Sequence, residues 1–279
     1  MRYKALAVDL DGTLLHSDER VTPRSIAALK AAEAAGLRVI IATARWYQLA
    51  ERVAREIATH EPLIACAGAQ VRRPDSDRDL LDLRMPAEFA QELYAILDTR
   101  RCVACIALDQ DVLLKMEGKP DPALFPPEAL VVGRLEGATR VAPRIALIQG
   151  TEAAAEVIAQ LRDRWQDRVR FVESFSSRRK SMLTLTAAGA DKGAALALAA
   201  AEMGISAAEV LAFGDAEADL EMFRVAGGSV AMGQASDNVK AHATAVTLSN
   251  DDDGVAVAIE RLLATGDLPA VLGRSEPNS

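Results

Sequence analysis

The stretch "VDLDGTLL", Val8 to Leu15, sets two aspartates one residue apart at the end of a short apolar run and follows them at once with Gly-Thr. Like charges at that range push carboxylate pKa values apart unless a cation joins them. The pair therefore calls for open water or a metal. The surrounding rhythm indicates what kind of structure carries it.

"YKALAV" and "LRVIIAT" read as short strands, and "VTPRSIAALKAAEAAG" between them reads as a complete helix. Thr22 suits the N-cap, Pro23 the first helical position and Gly36 the stop, with Ile26, Leu29 and Lys30 opening the face. Continuous apolar strands around a helix indicate a βαβ unit in a parallel sheet. A helix beginning near Trp46 and a third strand, "PLIACAG", follow. From about Asp82 to Leu185 the pattern changes to alternating stretches ("CVACIALD", "RIALIQG", "MLTLT") and two amphipathic helices. One helix carries Phe89, Leu93, Ile96 and Leu97, the other Val157, Ile158, Leu161 and Trp165. Alternation with helices on one side predicts an antiparallel α+β module. Glu117 to Glu128, rich in Pro and Gly, reads as a loop within it. After Ala187 the α/β rhythm returns, and the tail from Gly273 is polar. The expected fold class is thus α/β: a Rossmann-like parallel sheet with helices on both faces in residues 1–83 and 186–279, interrupted by an α+β module in residues 84–185.

With 279 residues, half of them hydrophobic, the chain can bury a large core, and its net charge of −8 argues against nucleic acid or an anionic membrane as main partners. No apolar window approaches the ~20 residues of a membrane span. Asp9 breaks the first apolar run too early for a signal peptide. Cys66, Cys102 and Cys105 form no disulfide framework, which suits a reducing, cytoplasmic setting. G-x-S-x-G, P-loop and G-x-G-x-x-G patterns are all missing from the sequence.

In a parallel sheet the carboxyl ends of the strands share one edge, where ligands bind. "VDLDG", "IATAR" and "AFGDAEAD" would bring Asp9, Asp11, Thr43, Asp215 and Asp219 to that edge, and Lys192 opens a nearby helix. Carboxylates, a hydroxyl and an ammonium together suit a hard cation, Mg²⁺, and a phosphate.

These residues resemble the haloacid dehalogenase superfamily, and within it the Cof-type phosphatases with an α/β cap inserted in mid-chain. "DLDGTLL", Thr43 at a strand end, Lys192 in "GADKGAAL" and "GDAEADLEMF" stand in the family's order, and "VAMGQASDNVKAHA" and "SNDDDGVAVAIE" look like its closing segments. The resemblance implies that Asp9 is the nucleophile forming an aspartyl-phosphate and Asp11 the general acid and base. The latter needs a carboxyl held protonated by its surroundings. It implies a Mg²⁺ site from Asp9, the Asp11 carbonyl and Asp215, with Asp219 behind them or joined through water. It further implies phosphate binding by Thr43, Lys192 and the backbone around Leu10 and Gly12, and a small phosphorylated metabolite, most simply a sugar phosphate, as substrate. Arg45 either touches that substrate or is a solvated helix-start arginine. A phosphomutase using the same intermediate, and an impaired ligand-binding homologue, are the alternatives.

The chain departs from the family at three places: Ala44 replaces a glycine, Ala67 the asparagine of "NGA", and Ala218 the asparagine before the last aspartate. Loss of such carboxamides can cost about 10- to 100-fold in metal affinity or activity. Cys102 and Cys105, three apart on a strand, point to opposite faces and read as packing. His16, His60 and His242 read as surface residues. The basic cluster "SSRRKS" (Ser176 to Ser181) reads as a solvated turn, with steering of an anionic substrate as its functional alternative.

Overall fold

"ALAV" is buried at all four positions and forms β1 (Ala5–Val8), a strand with neighbours on both sides. After it come α1 (Pro23–Ala34), β2 (Arg38–Ile41), α2 (Tyr47–Ile57), β3 (Leu63–Ala65), β4 (Gln70–Arg72) and β5 (Asp79–Asp82). The next stretch forms α3 (Ala87–Asp98), β6 (Val103–Ala107), β7 (Val112–Lys115), β8 (Ala129–Val132), β9 (Ile145–Gln149), α4 (Thr151–Trp165), β10 (Val169–Phe175) and β11 (Ser181–Ala187). The last comprises α5 (Lys192–Glu202), β12 (Val210–Gly214), α6 (Leu220–Val225), β13 (Gly228–Ala231), α7 (Asp237–Ala241), β14 (Ala245–Val246) and α8 (Gly254–Thr265). This computed structural model describes residues 2–74, 76, 78–118, 121, 125–175 and 181–268. The chain divides into two compact units, residues 1–80 with 191–279, and residues 81–190.

The first unit is an α/β fold around a parallel sheet of order β14-β13-β12-β1-β2. A parallel bridge between Ala42 and Ile64 carries β3 alongside β2. Because β2 lies on one side of β1 and β12 on the other, the crossovers diverge at β1, and the carboxyl edge there is the switch point at which such sheets bind ligands. The first helix starts as its sequence dictates: the Thr22 hydroxyl accepts the Ser25 amide at 3.1 Å and Pro23 opens the helix. Its buried face differs from the expected one. Ser25, Ala28, Leu29 and Ala32 are buried, whereas Ile26 is half-buried and Lys30 exposed. Small side chains allow close approach, and α1 packs on α8.

In the second unit six strands run in the order β10-β11-β9-β6-β7-β8. The expected antiparallel pairing holds except between β7 and β8, which are parallel. Helices α3 and α4 share one core with Ala104, Ile106, Ala146, Ile148, Leu183 and Leu185. Phe89, Leu93, Ile96, Leu97, Val157, Leu161 and Trp165 are all buried there, and Ile158 partly. Phe89 stands edge-on to Trp165 at 5.6 Å and to Phe171 at 5.9 Å, pairs worth about 0.5–1.5 kcal/mol each beyond burial. Most of the basic cluster, residues 176–180, and parts of the 117–128 stretch lie outside the described residues.

One local feature positions much of the first unit. The third strand ends at Ala65, earlier than "PLIACAG" suggests, and Cys66, Ala67 and Gly68 follow with φ of 52°, 55° and 90°. A left-handed non-glycine residue costs roughly 1–2 kcal/mol, and here two stand in a row. The turn is pinned because the Cys66 amide donates to the Arg45 carbonyl at 2.8 Å and the Ala67 amide to the Thr43 carbonyl at 3.0 Å. Gly68 faces the start of α5 so closely that an added Cβ would lie 2.6 Å from the Asp191 carbonyl carbon. Asparagine tolerates the left-handed region better than alanine. Ala67→Asn is therefore expected to raise unfolding free energy by about 0.5–1 kcal/mol in denaturant titrations; a loss of stability would show that Ala67 is not strained.

Candidate active site

The parallel register sets the site. Val8 is paired with Phe213 on one side and Ile41 on the other, so Asp9, Thr43 and Asp215 all emerge at the carboxyl edges of adjacent strands. The Asp9 amide donates to the Phe213 carbonyl at 3.2 Å, and the Ala42 amide to the Val8 carbonyl at 3.0 Å, which ties the three strand ends together.

Lys192, the first residue of α5, is 3% exposed and reaches into this edge. Its Nζ donates to Asp9 Oδ1 and to Asp219 Oδ1, both at 2.7 Å. The second oxygen of Asp219 accepts the backbone amides of Asp215 and Ala216, each at 3.0 Å. Asp219 thereby accepts from three donors and braces the loop that carries Asp215. The start of α5 is fixed in turn: Asp191 caps it by accepting the Ala194 amide at 2.7 Å, and buried Glu221 accepts the Lys192 amide at 2.8 Å.

One oxygen each of Asp9, Asp215 and Asp219 lies within 4.8 Å of the others. One ammonium does not neutralise three carboxylates. Burial, with Asp219 and Asp215 nearby, pushes Asp9 well above the ordinary carboxylate range despite the opposing pull of Lys192. Burial, then the charge of Asp219, raises Asp215 to about 7. Burial opposes the charge on Lys192, but Asp219 and Asp9 more than offset it and keep the ammonium protonated. An all-oxygen cluster with one ammonium to three carboxylates fits a hard divalent cation.

The other expected residues divide. Thr43 is fully buried and its Oγ1 accepts the Arg45 amide at 3.0 Å. The Leu10 side chain is buried in the core, so it can offer a ligand only its backbone. Gly12 has φ of +78° and lies against Asp215, where a Cβ would collide with the carboxylate. Arg45 is half-buried beside the acidic motif. It grips Asp11 through two hydrogen bonds, Nε to Oδ2 at 2.8 Å and a terminal nitrogen to Oδ1 at 2.6 Å, with Glu19 at 3.6 Å. The Asp11 carboxyl accepts both N–H groups and its side chain is exposed. Thr13, which the motif contains without announcing a role, donates to Asp215 Oδ1 at 3.3 Å. Glu221 gave no sequence signal, because its partner is a backbone amide 29 residues away.

Residues outside the site keep ordinary roles. His16 lies 3.1 Å from Asp253 and His242 contacts the Asn238 carbonyl. Cys102 is buried and Cys105 half-buried, and among the described residues no cluster able to hold a metal includes either. None of the described helices is long and apolar enough to cross a membrane.

Residues 6–259 match the family model of haloacid dehalogenase-like hydrolases. The chain belongs to that family. Its members of the Cof type are phosphatases, and this chain is an enzyme of that class. An "HMP-PP phosphatase" of Serratia proteamaculans is 30% identical over 250 residues, covering 85% of this chain and 86% of the relative. A "5-amino-6-(5-phospho-D-ribitylamino)uracil phosphatase" of Bacillus subtilis is 27% identical over 256 residues, covering 92% and 94%. The chain spans only 46% of a third relative, a chloroplastic protein of Arabidopsis thaliana called "Endoribonuclease YBEY", at 27% identity over 93% of this chain. The crystal structure of a haloacid dehalogenase-like hydrolase from Bacteroides thetaiotaomicron superposes with a TM-score of 0.80, at 27% identity, covering 93% of this chain and 99% of that one.

Within this family fold, Lys192 is the counter-charge on which the acidic edge rests. Removing one partner of a buried ion pair costs roughly 3–5 kcal/mol. Lys192→Met is expected to lose about that much stability near neutral pH. The loss should shrink under acid conditions, where Asp9 and Asp215 take up protons. Denaturant unfolding at both pH values measures this, and equal stability of variant and wild type would remove the ammonium from the account.

Proposed function

We propose that the protein is a Mg²⁺-dependent phosphomonoesterase that hydrolyses small phosphorylated metabolites, sugar phosphates by preference, through an aspartyl-phosphate on Asp9. The observation that carries this is the buried Asp9–Lys192–Asp219 contact with Asp215 beside it. Two of the relatives described above are named for small phosphorylated substrates, which supports the substrate class.

Asp9 Oδ1 is tied to Lys192, so Oδ2 is the oxygen that attacks phosphorus. The new O–P bond forms as the bond to the leaving alcohol breaks, and Asp11 gives that alcohol a proton. Water then attacks the phosphoryl group, loses its proton to Asp11 and frees Asp9. For both transfers Asp11 exchanges Arg45 for the reacting oxygen. Lys192 and Thr43 hold phosphoryl oxygens as a point charge and a hydroxyl donor, with the Leu10–Gly12 backbone closing the cradle. Asp9, Asp215 and the Asp11 carbonyl would hold Mg²⁺, with Asp219 bracing Asp215 from behind. When bound, the ion offsets charge on the carboxylates and the phosphoryl oxygens. The inserted module expected over residues 84–185 would, by the family resemblance, choose the leaving group.

Phosphate release from a panel of phosphomonoesters, with and without Mg²⁺, tests this. Magnesium-dependent release by the wild type that disappears in Asp9→Asn is the expected result. Isomerised sugar phosphate without free phosphate would identify a phosphomutase instead, and neither product would sink the enzyme reading.

The raised carboxylates add a pH dependence of known sign. A carboxyl whose folded pKa lies above its unfolded value stabilises the fold below the unfolded value and loses that contribution as pH rises through the folded one. For Asp215 that window runs from 3.8 to about 7, with Asp9 shifted the same way. The cation must displace those protons in acid and meets free carboxylates above the window. The rise in Tm on adding Mg²⁺ is therefore expected to be larger at about pH 8 than at about pH 5.5. Equal rises at both pH values would mean that the cation does not bind these carboxylates.

A further inference from the structure

The turn after Asp11 is held by two carboxamides that lie far away in the sequence. Gln234 Nε2 donates to the Gly12 carbonyl at 2.5 Å, and its Oε1 accepts the Asn250 amide at 3.2 Å. Asn250, itself buried, donates from Nδ2 to the Leu15 carbonyl at 3.0 Å. Both ends of the Gly12–Leu15 segment are thus fixed by the stretch that follows β13.

The opposite side of the same segment touches the acidic cluster. Thr13 donates to Asp215 Oδ1 at 3.3 Å, and Gly12 presses on the Asp215 carboxylate without room for a side chain. A displacement of this turn therefore moves Asp215 and the neighbouring Asp11 carbonyl together. Gly12 is the flexible point, since glycine at positive φ resists rotation of its peptide least. The hydrogen bond from Gln234 restrains that peptide.

We infer that Gln234 is a positioning residue for the cation site: through the Gly12 carbonyl it sets the spacing between the Asp11 carbonyl and Asp215. This rests on the cation site proposed above. Gln234 is an exposed side chain, so its hydrogen bonds matter for the orientation of the turn more than for the stability of the fold. Partners that orient metal ligands typically change affinity 10- to 100-fold when removed.

Gln234→Met keeps the length of the side chain and removes both the donor and the acceptor. The test is calorimetric titration of metal-free protein with Mg²⁺ alone, together with the Tm of the metal-free protein. The expected result is about 10-fold weaker Mg²⁺ binding in the variant with an unchanged metal-free Tm. Unchanged affinity overturns the inference while leaving the cation site standing. A lower metal-free Tm with retained affinity also overturns it, by assigning Gln234 to the fold alone. Absence of Mg²⁺ binding by the wild type overturns the inference and the cation site together.

Discussion

One buried ammonium holds this acidic edge together. Lys192 touches two carboxylates, Asp9 and Asp219, and a third, Asp215, stands within reach of both. Unpaired, such a cluster would carry a desolvation penalty of several kcal/mol per charge. Much of the surrounding structure keeps the lysine where it is needed. Glu221 holds its amide, Asp191 caps the helix it opens, and Gly68 lets the left-handed turn sit against that helix start. The remaining negative charge fits the cluster to a hard cation, and the raised carboxyls of Asp9 and Asp215 would link its binding to pH.

The sequence showed the edge because its chemistry sits directly after strands. A parallel strand is a continuous apolar run, and a polar residue that ends the run is placed by the sheet at its carboxyl edge. Asp9, Thr43 and Asp215 were legible for that reason. The buried face of α1 was not, since periodicity favours large apolar residues and this helix buries Ser25, Ala28 and Ala32. The parallel pairing of β7 with β8 was hidden because the segment joining them is rich in Pro and Gly and reads as loop alone. The left-handed turn at Cys66 and Ala67 was also invisible. Nothing in their residue types asks for positive φ; hydrogen bonds from their own amides to the Arg45 and Thr43 carbonyls impose it.

Partnerships between side chains were the hardest to read. The motif names Asp11 and Arg45, yet only the folded chain shows the guanidinium gripping that carboxylate with two hydrogen bonds. Gln234 and Gly12 are 222 residues apart, and no local pattern connects them. Composition at one position says what a side chain can do, and topology decides with whom.

The three departures from the family pattern also look different once geometry is known. A missing carboxamide at residue 218 could leave the adjacent aspartate short of donors. Asp219 is not: both of its oxygens are occupied, by Lys192 and by the amides of Asp215 and Ala216. At residue 67 what the alanine leaves behind is backbone strain, absorbed by a turn whose amides are tied to the Thr43 and Arg45 carbonyls. At residue 44, Thr43 still orients its hydroxyl through the Arg45 amide. Two of the three changes thus leave the hydrogen bonds of the acidic edge complete, and the third shifts a cost from side chain to backbone. At residue 218 the main-chain amides of Asp215 and Ala216 satisfy the aspartate beside the missing carboxamide.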